Sequence, residues 1–184
     1  MNLTRIIAVL DANVLYPAPV RDLLLNLADA RLFQPKWTKA IQDEWTTKLL
    51  INRLDITQHA LERTVKAMNT AFPDAEVSNY SNIINNLTLP DPDDRHVLAA
   101  AIKAEATHIV TANIKDFPRN NLASYSIRVS TPDDFVTRLI EADFVTAYFA
   151  FEVMVSRLKN PPIKREDVLA MLKKCGLPAT AEFF

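Results

Sequence analysis

Glycine is almost absent from this sequence, with Gly176 the only one among 184 residues. The Walker loop and the G-x-G-x-x-G dinucleotide turn both need several positions where the backbone approaches a phosphate without a Cβ atom. Neither loop can form in this chain. If the protein handles phosphate groups, it must bind them by some means other than a glycine-rich cradle.

Cysteine and long apolar runs are also scarce. The single cysteine, Cys175, excludes an internal disulfide framework and a thiolate zinc cluster, and it fits a reducing compartment. The apolar run at residues 6–10 is ended by Asp11, so it is too short for a signal peptide or a membrane-spanning helix. We therefore expect a soluble protein of the cytoplasm.

An excess of charge of either sign is lacking too. The 21 basic and 22 acidic residues give a net charge of −1, so overall electrostatics do not attract nucleic acid, although local patches still could. Apolar residues make up 49% of the chain and charged residues 23%, which is typical of a globular protein. The length suits one compact domain with a small addition.

Short apolar runs alternate with longer amphipathic segments along the first two thirds of the chain. This alternation predicts an α/β fold, a three-layer α/β/α sandwich with a mainly parallel sheet. After residue 132 the strand patterns stop, so we expect a domain over residues 1–131 and a helical C-terminal extension over 132–184. The strand patterns cover residues 6–10, 33–35, 107–111 and 126–129, and helices are expected from Thr38 and from Thr57 as N-caps.

Two helix starts share one pattern. Asp91-Pro92-Asp93-Asp94 and Thr131-Pro132-Asp133-Asp134 each place a capping residue before a proline and two acids. Acids in a first helical turn complement the helix dipole by about 0.3–1 kcal/mol without any catalytic role. The second pattern lies where no chemistry is expected, so a purely structural role for the acids of the first pattern is a real alternative.

Four acids fall where a parallel sheet would gather them. Asp11 follows the first strand, Asp116 follows the strand at 107–111, and Glu44 and Asp94 lie on predicted helices. Like charges about 4 Å apart repel by roughly 4 kcal/mol at an effective dielectric constant near 20, so clustered carboxylates need a cation or shared protons. Oxygen ligands alone favour Mg²⁺ or Mn²⁺, which can acidify water and neutralise a phosphodiester. The pattern indicates phosphoryl transfer or nuclease chemistry.

These acids lie within motifs that together resemble a known family. D-A-N-V-L at 11–15, Glu44, D-P-D-D-R-H-V-L-A-A-A at 91–101 and I-V-T-A-N-I-K-D-F-P at 109–118 are similar, in this order, to the motifs of PIN domains. The similarity is greatest to the VapC-type toxin ribonucleases of bacterial toxin–antitoxin pairs, and it covers about residues 5–130. The remaining residues are not covered by these motifs.

The resemblance implies a parallel sheet flanked by helices, Mg²⁺ or Mn²⁺ dependence, cleavage of single-stranded RNA, a cognate antitoxin as partner, and a homodimer. It implies four catalytic acids, of which all but Glu44 are metal ligands and Glu44 is a ligand or a water orienter. Asp93 competes with Asp94 for the third position, and the V-L-A-A-A stripe favours Asp94. By motif position the catalytic acids are Asp11, Glu44, Asp94 and Asp116, and the supporting residues are Asn13, Asp93, Thr111 and Asn113.

Two other functions remain open. A haloacid-dehalogenase-type phosphatase also starts with an acid after its first strand, but it needs a second acid where this chain has Asn13. A catalytically inert PIN-like module that binds RNA or protein would keep the fold without the chemistry. His96 is expected to point away from Asp94 on its helix. Four basic residues could either steer an RNA backbone or simply solubilise the surface: Lys36, Lys39, Lys48 and Arg53.

Overall fold

The computed structural model of the chain describes residues 6–159 and 161–184. The first five residues of the expected domain 1–131 therefore lie outside the described residues. Within the described ranges, none of the helices is long and apolar enough to cross a membrane.

A parallel four-stranded sheet organises the fold and confirms the predicted fold class. The central strand β1 carries Ala8, Val9 and Leu10 fully buried, because helices cover a parallel sheet and its strands must be apolar throughout. In the register of β1 and β3, Leu10 lies opposite Val110, so the residues that follow each strand emerge side by side. The strands are β1 (Ile7–Leu10), β2 (Gln34–Lys36), β3 (His108–Val110) and β4 (Arg128–Ser130), in the order β2-β1-β3-β4.

The helices Lys39–Asn52 and Gln58–Ala71 begin at the two threonine caps that the sequence predicts. The Thr38 hydroxyl accepts a hydrogen bond from the Ile41 amide, and the Thr57 hydroxyl accepts one from the Ala60 amide. The α-helices are α1 (Ala12–Leu15), α2 (Ala18–Asp29), α3 (Lys39–Asn52), α4 (Gln58–Ala71), α5 (Ser81–Ile84), α6 (Arg95–Lys103) and α7 (Arg119–Leu122), with short 3₁₀ helices at Pro92–Asp94 and Ile114–Asp116.

The C-terminal region is helical, as predicted, and it packs onto the rest of the molecule. Helix α9 lies along α2, and Phe135 of α8 meets Phe33 edge-to-face at a centroid distance of 5.0 Å. The chain leaves α10 through Gly176, whose φ of +87° suits a residue without a Cβ atom. The helices are α8 (Pro132–Ala142), α9 (Phe144–Arg157), α10 (Arg165–Lys174) and α11 (Pro178–Phe183).

Helix α11 is an element that the sequence analysis did not predict. Pro178 follows the Gly176 turn, a place typical of the end of a helix, and in the structure it occupies the first turn of a new helix. Proline is suited to both places, since its fixed φ fits a first helical turn and it cannot continue an existing helix. The contacts of α11 with α8 and α10 decide between the two.

Candidate active site

Asp11 lies at the carboxyl end of β1 and is held by three hydrogen bonds. Its side chain is buried, with the residue 4% exposed. Oδ1 accepts a hydrogen bond from the Ala12 amide at 2.7 Å, and Oδ2 accepts from Asn13 Nδ2 at 2.6 Å and from the Thr111 hydroxyl at 2.7 Å. These charge-assisted bonds compensate for the burial of the carboxylate and fix its orientation.

Asn13 and Thr111 connect the loop after β1 to the loop after β3. Asn13 Oδ1 accepts a hydrogen bond from the Ala112 amide at 2.9 Å, and Asn13 Nδ2 donates to the Thr111 hydroxyl at 3.1 Å. The Asn113 amide also donates to the Thr111 hydroxyl, at 3.0 Å, so the contact made by Asn113 is through its backbone. The polar residues proposed to support the site thus brace Asp11 from two neighbouring strands.

Asp94 is half-buried where the 3₁₀ helix Pro92–Asp94 meets α6. Burial, followed by the negative charges of Asp11, Asp91, Asp116 and Glu44, raises the pKa of Asp94 to about 6. Such mutual repulsion requires carboxyl groups on four separate segments to face a common region. The pKa of Asp94 therefore indicates which other acids act on this position.

Glu44 reaches the same region from α3. Its side chain is 55% exposed, and burial together with the negative charge of Asp11 raises its pKa, while the Lys48 ammonium opposes this shift and Asp93 adds to it. A helix of this composition usually carries solvated acids, and nothing local distinguishes Glu44 from Asp43. The packing of α1 against α3 brings Glu44 close to Asp11.

The remaining predicted acids lie at the rim. Asp116 is half-buried at the end of the 3₁₀ helix Ile114–Asp116, and its charge contributes to the raised pKa of Asp94. Asp93 is exposed, and its charge contributes to the raised pKa of Glu44. Asp91 was not among the predicted site residues. It caps the 3₁₀ helix by accepting a hydrogen bond from the Asp93 amide at 2.9 Å, and its charge also acts on Asp94.

His96 contacts a second acid that the sequence did not connect with it. Its Nε2 atom lies 4.0 Å from Glu44 Oε2, so the ring borders the acidic residues from the side of α6 that faces α3. Burial lowers the pKa of His96 against the opposing charges of Asp11 and Asp93. Among the described residues, its buried Nδ1 atom has no hydrogen-bond partner. Helical spacing does separate His96 from Asp94, but α3 approaches on that other side.

The donor set fits a hard divalent cation that keeps part of its water shell. Within residues 6–159 and 161–184, no three His, Cys, Asp or Glu side chains come close enough together to form a complete metal cage. Mg²⁺ rarely uses such a cage, since it retains several waters and is usually bound by one or two carboxylates.

Comparison with known proteins adds two family matches and one relative. Residues 7–115 match a family described as PIN domain, and residues 132–183 match one described as VapC50 C-terminal domain. The chain is 37% identical over 79 residues to a Mycobacterium tuberculosis (strain ATCC 25618 / H37Rv) protein named "Putative ribonuclease VapC50". The alignment covers 43% of this chain and 47% of that protein, so the chain spans about half the length of its curated relative. No solved structure matches the chain.

Proposed function

The chain belongs to the PIN domain family, and from that premise we propose that it is a metal-dependent endoribonuclease. The observation that carries the proposal is the buried Asp11 carboxyl at the carboxyl end of β1, which Asn13 and Thr111 hold in place and whose charge acts on both Asp94 and Glu44. Carboxyl groups gathered at the carboxyl edge of the sheet can attract a divalent cation, and the cation can in turn bind a phosphodiester. RNA, rather than a phosphomonoester, is favoured because Asn13 stands where a dehalogenase-type phosphatase needs its second acid.

The proposed division of roles follows from how each acid is held. Asp11, Asp94 and Asp116 would hold Mg²⁺ or Mn²⁺, and Glu44 would be a ligand or orient the attacking water. When bound, such an ion acidifies water and neutralises charge on the phosphodiester. Asn13 and Thr111 keep Asp11 in place through the hydrogen bonds to Oδ2.

Asp11 and Asp94 differ in how the surrounding protein holds their carboxyl groups. Asp11 accepts three hydrogen bonds from the described residues, one at Oδ1 and two at Oδ2, so its position is set before any ligand arrives and Oδ1 retains a free lone pair there. The Asp94 side chain accepts no hydrogen bond from the first backbone amides of α6. Burial and neighbouring negative charges raise the pKa of its carboxyl to about 6. Ionisation of Asp94 above that pH supplies the charge that a cation then balances, so we expect metal binding and cleavage to strengthen above pH 6.

The biological role we propose is that of the toxin in a type II toxin–antitoxin pair. Similarity to the ribonuclease relative and to the VapC50 C-terminal domain supports it. In this proposal residues 1–131 form the nuclease domain and residues 132–184 the helical extension. The protein would act on RNA in the cytoplasm, bind a cognate antitoxin and form a homodimer. Light scattering of the chain, alone and with a co-expressed antitoxin, tests both assemblies.

The direct test is cleavage of a panel of structured and single-stranded RNAs in Mg²⁺, Mn²⁺ or EDTA. We expect the wild type to cut with either metal, and Asp11→Asn and Glu44→Gln to lose most activity. Asp43→Asn is the matched control, because Asp43 neighbours Glu44 but is exposed and paired with Lys39. Equal cutting by wild type and Asp11→Asn contradicts the assignment.

Calorimetry separates a nuclease from an inert PIN-like module. A nuclease should take up Mn²⁺ to saturation, and Asp94→Asn should weaken this uptake because it removes one of the proposed ligands. If the protein binds RNA but takes up no Mg²⁺ or Mn²⁺ and cuts nothing, the binding module is the correct assignment.

A further inference from the structure

The basic residues near α3 differ in whether another group already satisfies their charge. Lys39 pairs with Asp43 at 2.5 Å, and Arg53 pairs with Asp55 at 2.6 Å. Lys36 Nζ donates a hydrogen bond to the Asp74 carbonyl. Lys48, by contrast, has no carboxylate oxygen within 4.0 Å among the described residues. Of these four basic residues, Lys48 is the one without such a partner in the described part of the chain.

Lys48 lies beside the acidic cluster. It follows Glu44 by four residues of α3, a rise of about 6 Å along the helix. Residues four apart on a helix lie on the same face, so the Lys48 side chain neighbours that of Glu44 on the surface of α3. Lys48 is exposed, and a phosphate can therefore reach it without displacing a packed group.

Tyr16 and Asn52 support the lysine. Lys48 Nζ lies over the Tyr16 ring, 5.9 Å from its centroid. The Tyr16 hydroxyl accepts a hydrogen bond from Asn52 Nδ2 at 3.2 Å, and Tyr16 itself ends α1, the helix that Asp11 caps. The ring is thus connected to both the Asp11 loop and α3, with the ammonium resting on it.

We infer that Lys48 binds the RNA phosphate that neighbours the scissile one, and that Tyr16 and Asn52 position its ammonium group. This inference rests on the proposed ribonuclease function. A surface crowded with carboxylates repels the phosphate backbone, and a cation one helical turn away offsets that repulsion and sets where the strand enters. Proteins that bind single strands combine cations along the backbone with aromatic side chains in this way.

The test measures RNA binding separately from cleavage. A fluorescent single-stranded RNA is titrated in Mg²⁺ into the Asp94→Asn full-length chain, with and without Lys48→Ala, between 50 and 200 mM salt. Loss of one phosphate contact should reduce the slope of log K against log salt by about 0.7. Affinity at low salt should fall about tenfold, the size expected for one charge-assisted contact. Lys48→Arg should retain the slope, and Lys39→Ala, on the same helix, is the matched control.

The positioning residues have their own readout. Tyr16→Leu and Asn52→Ala should weaken RNA affinity less than Lys48→Ala does, and Tyr16→Phe, which keeps the ring under the ammonium, should restore most of it. In the cleavage-competent chain, Lys48→Ala should raise KM with little change in kcat. A contact to a phosphate that does not react is made equally in the ground state and the transition state. Thermal melting identifies any variant that fails to fold.

Two negative results have different meanings. If the parent chain binds RNA and Lys48→Ala leaves the salt slope unchanged, the inference about Lys48 is overturned and the nuclease proposal stands. If the Asp94→Asn chain does not bind single-stranded RNA and the wild type does not cut it, both are overturned.

Discussion

Two helix starts in this protein have nearly the same sequence and different surroundings. In each, a cap accepts a backbone hydrogen bond: Asp91 from the Asp93 amide at 2.9 Å, and Thr131 from the Asp134 amide at 3.1 Å. Each then has proline and two acids in its first turn. Local sequence therefore explains why a helix begins at both places, and it does not distinguish them further.

The acids of the two starts meet different partners. Burial, followed by the negative charges of other acids, Asp11 first, raises the pKa of Asp94, in the first start, to about 6. Asp133, in the second, accepts hydrogen bonds from the Ala179 amide at 3.0 Å and the Thr180 amide at 2.7 Å, and so caps helix α11 from 46 positions away. The same local pattern therefore gives a candidate metal ligand, Asp94, in one place and a cap for helix α11, Asp133, in the other.

The largest effect should follow from removing the charge of Asp94. Asp94→Asn should lower RNA cleavage by about a hundredfold or more, since even outer-shell partners of a metal ligand are worth 10–100-fold. Asp134→Asn, at the equivalent position of the second start, should leave cleavage unchanged. Initial rates in Mn²⁺ provide the measurement, and similar losses in both variants would mean that the two starts do not differ as described.

Asp133→Ala should act on stability and not on cleavage. It removes the cap of α11, which should cost about 1–2 kcal/mol and lower Tm by about 3–6 °C in a chain of this size. Asp134→Ala is the control, because Asp134 is exposed and lies one position along the same helix. If Asp133→Ala leaves Tm unchanged, then Asp133 does not stabilise the protein by capping α11.

The raised pKa of Asp94 makes a pH-dependent prediction for the metal-free protein. The folded chain keeps this proton up to about pH 6, whereas the unfolded chain loses it near the ordinary value of 3.8. Folding stability from this group is therefore greatest at low pH and is lost as the pH rises from about 4 to 6. In EDTA, the Tm of wild type relative to Asp94→Asn should fall between pH 4.5 and 7.5. A constant difference would contradict this, and Mg²⁺ at pH 7.5 should restore the wild type.

The smallest effect should come from making the two starts identical. Thr131→Asp converts the second start into Asp-Pro-Asp-Asp. Since Asp caps a helix at least as well as Thr, the free energy of unfolding should change by only about a few tenths of a kcal/mol, which thermal melting measures. Calorimetric Mn²⁺ stoichiometry should also be unchanged. A second saturable site in this variant would mean that the local motif suffices to bind metal.

Sequence was sufficient wherever the cause of a structure is local. The caps at Thr38, Thr57 and Thr131 follow from side chains that bond amides three positions on, and the continuous apolar run before Asp11 identifies a buried parallel strand. Sequence was insufficient for His96 and α11. His96 meets Glu44 across two helices that are distant in sequence, and α11 depends on its contacts with α8 and α10.

By itself the sequence determined the alternation of strands and helices, the caps at Thr38, Thr57 and Thr131, and a set of acids placed after strands and at helix starts. These depend on interactions within a few residues, which the chain carries wherever it folds. Tertiary structure alone decided which acids act on Asp94, that Asp133 caps α11, and that Lys48 has no carboxylate partner within 4.0 Å among the described residues. Charge interactions depend on distance in space, and only the packing of α1, α3 and the sheet sets those distances.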